Sequence, residues 1–182
     1  MIQLKLLRLL YELQPTRVTV LRSCKAIPVM DTSIQKGSQI SLPRIIAETL
    51  EFYGIVEVEE KIVSHQDIAK VKFSHMQQRG GMPKIDDFFY TKVKDSVNKL
   101  LTKAKNEGDI ILLRTIEKIR EDFIDVSNNR LSSIFRAFQL KGIDIVEKNC
   151  TMEEKIFLNM IKSIYIKWTK EYIEFDWGLE LG

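Results

Sequence analysis

Cysteine and histidine are scarce: Cys24, Cys150, His65 and His75 are the only four in 182 residues. The cysteines lie far apart with no paired spacing, which argues against a disulfide framework or a zinc site and for two reduced, packed thiols. No Cys or His stands at ligand spacing from either histidine. No metal site is therefore expected, and both imidazoles should sit on or near a helix surface. Clustered glycine is equally rare. Gly80 and Gly81 form the one adjacent pair, and no Lys-Ser or Lys-Thr follows them, so neither nucleotide-binding fingerprint is present. No apolar run approaches the roughly 20 residues that cross a bilayer. The opening MIQLKLLRLLYELQP is interrupted by Lys5, Arg8 and Glu12, and no small-residue cleavage site follows. It reads as an amphipathic helix of a cytoplasmic protein rather than a signal peptide, and no membrane partner is expected.

What remains is an ordinary globular composition, 45% hydrophobic and 29% charged, in a chain long enough for one medium domain or two small ones. The net charge of +3 is unevenly spread. Residues 1–60 hold seven Lys/Arg against seven Asp/Glu, residues 61–105 ten against four, and residues 106–182 eleven against fourteen. The basic middle is a candidate contact for phosphate or an acidic partner, and equally a solvated lysine-rich helix face. A serine or cysteine nucleophile needs a base beside it, and neither histidine has a motif around it. The adjacent carboxylates Asp86–Asp87 and Glu153–Glu154 both fall at expected helix N-termini, where capping and the helix dipole account for them. No catalytic residue and no cofactor is assigned; a hydrolase would need a concave cluster of titratable groups that one sequence does not display.

Along the chain, Pro15 ends the first helix, and Val18 and Val20 alternate with Thr19 and Leu21 as a half-buried strand over 18–22. A second short strand is expected over 26–30, a polar turn over 31–37 and a third strand over 38–41. Ser41 is the expected N-cap of a helix with Pro43 in its first turn. Leu42, Ile45, Ile46, Thr49, Leu50 and Tyr53 form its apolar face, Gly54 ends it, and IVEVEE follows as a strand. Beyond residue 64 the strand signal disappears. Helices are expected over 65–78, 86–105 and 110–126, with SNNR (127–130) as a kink or break before a further helix that stops near Gly142. Thr151 and Glu154 then open a final helix with a capping box, reaching about residue 174. The fold class is α+β: a small N-terminal β-rich domain over 1–62, then a larger all-α helical bundle over 63–182.

Two features bear on function. KGSQISLPRIIAETLEFYGIVEVEE (36–60) has the order of parts of a winged-helix DNA reader. Its helix, however, carries Arg44 as its one basic residue, with Glu48 and Glu51 nearby and Glu57, Glu59 and Glu60 behind, a poor match to a phosphate backbone. In the final helix, Phe157, Leu158, Met160, Ile161, Ile164, Tyr165, Trp168 and Tyr172 span an arc of roughly 160°, against the ~100° that one core needs. Ile166 and Ile173 lie outside it. Such a helix should be buried on more than one side, and Phe157, Ile161, Ile164, Tyr165, Trp168 and Tyr172 are the expected subunit-interface residues.

These stretches together resemble the subunits of the GINS complex of archaea. KGSQISLPRIIAETLEFYGIVEVEE is similar to that family's small β-rich domain. IDDFFYTKVKDSVNKLLTK (85–103) is similar to its acidic-aromatic entry into a long helix. LLRTIEKIREDFIDVSNNRLSSIFRAF (112–138) and TMEEKIFLNMIKSIYIKW (151–168) are similar to its remaining bundle helices. With the small domain first, the order is similar to that of the subunit equated with the eukaryotic second and third Psf components.

The resemblance implies a non-enzymatic scaffold in chromosomal DNA replication. It implies a heterotetramer with two copies of this chain and two of a subunit of opposite domain order. It further implies contacts with the MCM helicase, a RecJ-like protein and possible recruitment of primase, DNA contact that is weak or indirect, and a place in the cytoplasm with the nucleoid. No active-site residue carries over, and the assembly is expected to use the apolar faces of the 86–105 and 151–174 helices. The alternative from the residues is a winged-helix-like transcription regulator with a helical dimerisation domain.

Overall fold

A computed structural model of the chain describes residues 2–23, 34–59, 62–77, 82–139 and 143–173. The expected strand over 26–30, Cys24, Gly80, Gly81, Glu60 and the residues after 173 lie outside the described ones. Among the described residues, ten elements follow in order. They are α1 (Ile2–Glu12), β1 (Pro15–Val20), β2 (Gln39–Pro43), α2 (Arg44–Phe52), β3 (Val56–Val58), α3 (His65–Gln77), α4 (Phe89–Glu107), α5 (Ile110–Gln139), α6 (Ile143–Glu147) and α7 (Met152–Tyr172). The class is mixed: a three-stranded antiparallel sheet near the N-terminus and a mostly helical remainder.

The chain forms two compact units. One comprises Met1–Ile68 with Tyr90–Arg120, the other Ala69–Phe89 with Glu121–Gly182. In the first, the strand order is β2-β1-β3, so β1 pairs on both edges, with Val18 opposite Ile40 on one side and Val58 on the other. Val18, Val20, Leu42 and Val56 share the inward side of the sheet and pack with Ile34 and with Ala47 of α2. β1 begins three residues earlier than its Val-Thr alternation suggests, because Thr16 joins the inward set and is itself buried.

β2 also runs on to Pro43, and this overturns two expectations. Ser41 is not an N-cap: it pairs with Arg17 in the sheet, and α2 starts at Arg44 with no side-chain cap. The buried positions of α2 are Arg44 and Ala47, with Ile46 and Leu50 packed partly against the core, whereas Ile45 and Tyr53 face solvent. Ladder pairing of Leu42 outweighs the capping preference of Ser41. The stop signal behaves as expected. Gly54 adopts φ +65, its N–H donates to Glu51 O (2.8 Å) and Ile55 N–H donates to Leu50 O (3.0 Å), which closes the helix in a Schellman motif.

α4 starts at Phe89 rather than at residue 86. Phe88 takes φ +59, a left-handed conformation that a helix interior does not hold, so Asp86 and Asp87 precede the helix instead of entering its first turn. Val93 and Ala104 are buried and Val97, Leu100 and Leu101 half-buried, so this apolar face is largely taken up within the chain. Gly108 (φ +66) then turns the chain, and Asp109 accepts from Leu112 N (2.9 Å) to cap α5.

α5 runs unbroken for 30 residues, so SNNR is not a break. Ser127 Oγ donates to Phe123 O (2.7 Å), the back-bonding that lets a serine stay inside a helix. The decisive residue is Arg130, fully buried one turn on. In the second unit Met82, Ile134, Cys150 and Leu158 form a core flanked by Phe138, Ile143 and Val146. The short α6, which the sequence does not announce, supplies the last two.

Candidate interaction surface

Among the described residues, α7 is anchored at its start and exposed towards its end. Thr151 Oγ1 accepts from Glu154 N, and Glu154 Oε2 accepts from Thr151 N (2.8 Å), the capping box expected from the sequence. The structure adds what the sequence did not disclose. Glu154 is 3% exposed and receives a fork from Arg130, with Nε on Oε1 and Nη2 on Oε2 (2.7 Å).

The other Arg130 N–H groups donate to Pro83 O (2.7 Å), Asn149 O (2.9 Å) and Nε2 of His75 (3.2 Å). All five guanidinium N–H groups thus have acceptors, which is what a buried charge requires. Because guanidinium only donates, His75 Nε2 must accept, which leaves a neutral ring with its proton on Nδ1. Burial, and then the Arg130 charge, lower the His75 pKa in keeping with that, against an opposing pull from Glu154. His75 therefore does more than sit on a helix surface. Cys150 is a free, buried thiol whose pKa burial, aided by Glu154, pushes up to about 11, so it is inert at neutral pH.

From that knot the apolar stripe of α7 runs outward. Leu158 is buried and Phe157 and Ile161 are half-buried; Phe157 meets Phe135 edge-on (6.1 Å between centroids). Beyond Ile161 the same stripe emerges into solvent. Ile164 (66%), Trp168 (51%) and Tyr172 (71%) are exposed, and Tyr165 is half-exposed with its ring edge-on to Phe138 (4.7 Å). Ile161, Ile164, Tyr165 and Trp168 line an open apolar hollow, and the Trp168 and Tyr172 rings lie 6.1 Å apart. Ile166 and Ile173, on the other side of the helix, are exposed too. The six expected interface residues thus divide: Phe157 and Ile161 lean on the chain's own core, and the other four form one exposed ridge. Among the described residues of this unit, the wide arc is buried on one side only.

A second apolar patch lies at the end of α2, where Phe52 (84%) and Tyr53 stack edge-on (5.4 Å) near exposed Ile45. Arg44, the one basic residue of α2, is buried, with its guanidinium 4.3 Å from the centroid of the Tyr11 ring. In the basic stretch 61–105, Lys72 binds Asp122 and Asp125 (2.7 Å each), which raise its pKa, and Lys99 reaches Glu48 (3.3 Å). Among the described residues no three His, Cys, Asp or Glu side chains cluster so as to hold a metal ion, and no helix is long and apolar enough to cross a membrane. Compared with known proteins, the chain matches no protein-family model and no curated protein.

Proposed function

We propose that the chain is a non-enzymatic assembly subunit whose exposed α7 ridge is built for another polypeptide. The observation that carries this is the continuation of one stripe. A helix that needed only its own core would turn polar after Ile161, yet Ile164, Trp168 and Tyr172 hold the same face apolar for three more turns. At about 200 Å² per aromatic side chain, half-exposure of Tyr165, Trp168 and Tyr172 alone leaves ~300 Å² of apolar surface in water. That is the size of the largest patch on a typical monomer, which is often functional, and Trp and Tyr are the residues that dominate binding energy at interfaces.

The resemblance in the sequence gives this reading its specific form: a GINS-type subunit, in a 2:2 heterotetramer with a chain of opposite domain order. Such an assembly would act in the replisome of the cytoplasmic nucleoid by holding the MCM helicase, a RecJ-like protein and primase at high local concentration. The Ile45–Phe52–Tyr53 patch is then a docking point on the sheet-bearing module. The winged-helix regulator gains nothing from α2, whose single cation is buried against Tyr11. Radical footprinting of the chain alone and with an opposite-order GINS subunit from the same source tests the reading. Protection of Tyr165, Trp168 and Tyr172 in the mixture is the expected result. Unchanged labelling of all three, with tight salt-sensitive binding of duplex DNA by the chain alone, would favour the regulator instead.

A further inference from the structure

α1 carries two apolar faces, and the fold uses one. Leu7 and Tyr11 are buried against the chain. On the opposite side Ile2, Leu6, Leu9 and Leu13 are all about half-exposed or more, and Leu13 N–H donates to Leu9 O (2.9 Å), carrying the helical turn to the end of the row. Their spacing is four, three, four. That is the repeat of a two-stranded coiled-coil seam, with Ile2 and Leu9 at d positions and Leu6 and Leu13 at a positions. A row of this spacing suits knobs-into-holes packing against another helix.

The flanking charges specify which helix. In this register the g positions are Lys5 and Glu12 and the e positions Gln3 and Leu10. In an antiparallel pair of α1 helices g faces g, so Lys5 of each copy meets Glu12 of the other, giving two opposite-charge contacts related by a two-fold axis. The parallel arrangement would set Lys5 against Leu10 and gain nothing. Glu12 already accepts from Arg8 Nε through Oε1 (2.9 Å), and Arg8 also holds Asp95, which fixes the Glu12 side chain beside the seam with Oε2 still able to accept.

We infer that α1 is a self-association helix: two copies of this chain pair antiparallel through Ile2, Leu6, Leu9 and Leu13, with Leu6 packed opposite Leu9 of the second copy and Lys5 opposite its Glu12. This uses neither α7 nor the resemblance, so it stands or falls separately from the proposed function.

Two full-length variants, Leu6→Cys and Leu9→Cys, test it. They are mixed, oxidised, and the disulfides identified by peptide mass. The mixed disulfide, joining position 6 of one variant to position 9 of the other, should form at least about ten-fold faster than either like-with-like linkage. Equal rates, or preferred like-with-like linkage, overturn the antiparallel pairing. Sedimentation equilibrium supplies the second readout. The parent chain should dimerise, Leu9→Glu should be monomeric with unchanged circular dichroism, and Lys5→Glu should weaken the dimer. Lys5→Glu with Glu12→Lys should restore it. A parent chain that stays monomeric at tens of micromolar, or that dimerises as well with Leu9→Glu, overturns the inference. So does α1 protection that arises only with a different protein.

Discussion

Arg130 is the residue on which the second unit depends. Its charge is fully buried, its five donors are satisfied, and its carboxylate partner Glu154 also closes the N-terminus of α7. Replacing Arg130 with Met strands Glu154 as an uncompensated buried charge, and the loss of stability should be about 3–5 kcal/mol in urea unfolding. Adding Glu154→Gln should recover part of it, whereas purely additive losses would mean that the two residues are not coupled.

His75 carries a pH signature at the same place. It is held neutral in the folded chain with its pKa below 6.5, so the unfolded chain takes up its proton first. Its contribution is therefore fully present above pH 6.5 and is lost as pH falls from there towards the folded-state value. His75→Gln, which keeps an acceptor for Arg130, should flatten the fall in stability between pH 7 and pH 5. An unaltered slope would contradict the tautomer assigned to His75.

At the scale of elements, α7 divides into an anchored half and a presented half. Trp168→Ala with Tyr172→Ala should leave the unfolding midpoint of the lone chain unchanged within roughly 0.5 kcal/mol, since both rings are exposed. The same change should weaken assembly by at least about 2 kcal/mol, some thirty-fold. A destabilised lone chain would instead mean that the ridge packs internally.

Much of this element is legible in the sequence. Thr151 and Glu154 three residues apart mark its start, and the width of its apolar arc marks surplus surface. The boundaries that sequence misses share a cause. Ser41 has a good capping side chain but lies in a strand because Leu42 fills the sheet core, and SNNR resembles a break but stays helical because Arg130 must reach Glu154. In each case a contact distant in sequence outweighs a local preference, and no local signal announces Arg130, whose partners His75, Pro83, Asn149 and Glu154 come from four separate places in the chain. The short α6 has too few residues to show a period.

At the scale of the molecule, three of the exposed apolar surfaces have an internal order, while others, such as Phe73, Met76, Ile110 and Ile111, lie outside them. The α7 ridge, the Phe52–Tyr53 patch and the α1 seam each have a periodicity or stacking of their own. Buried charges, by contrast, are matched: Arg130 with Glu154, and Arg44 with Glu48 (3.9 Å) and the Tyr11 ring. Exposed aromatic ridges of this kind are what the proposed assembly function would use. The most direct test is the native mass of the chain co-expressed with an opposite-order GINS subunit from the same source. The account predicts a 2:2 complex that Trp168→Ala with Tyr172→Ala disperses. A stable 21.2 kDa monomer beside an independent second protein, with or without those changes, would contradict it.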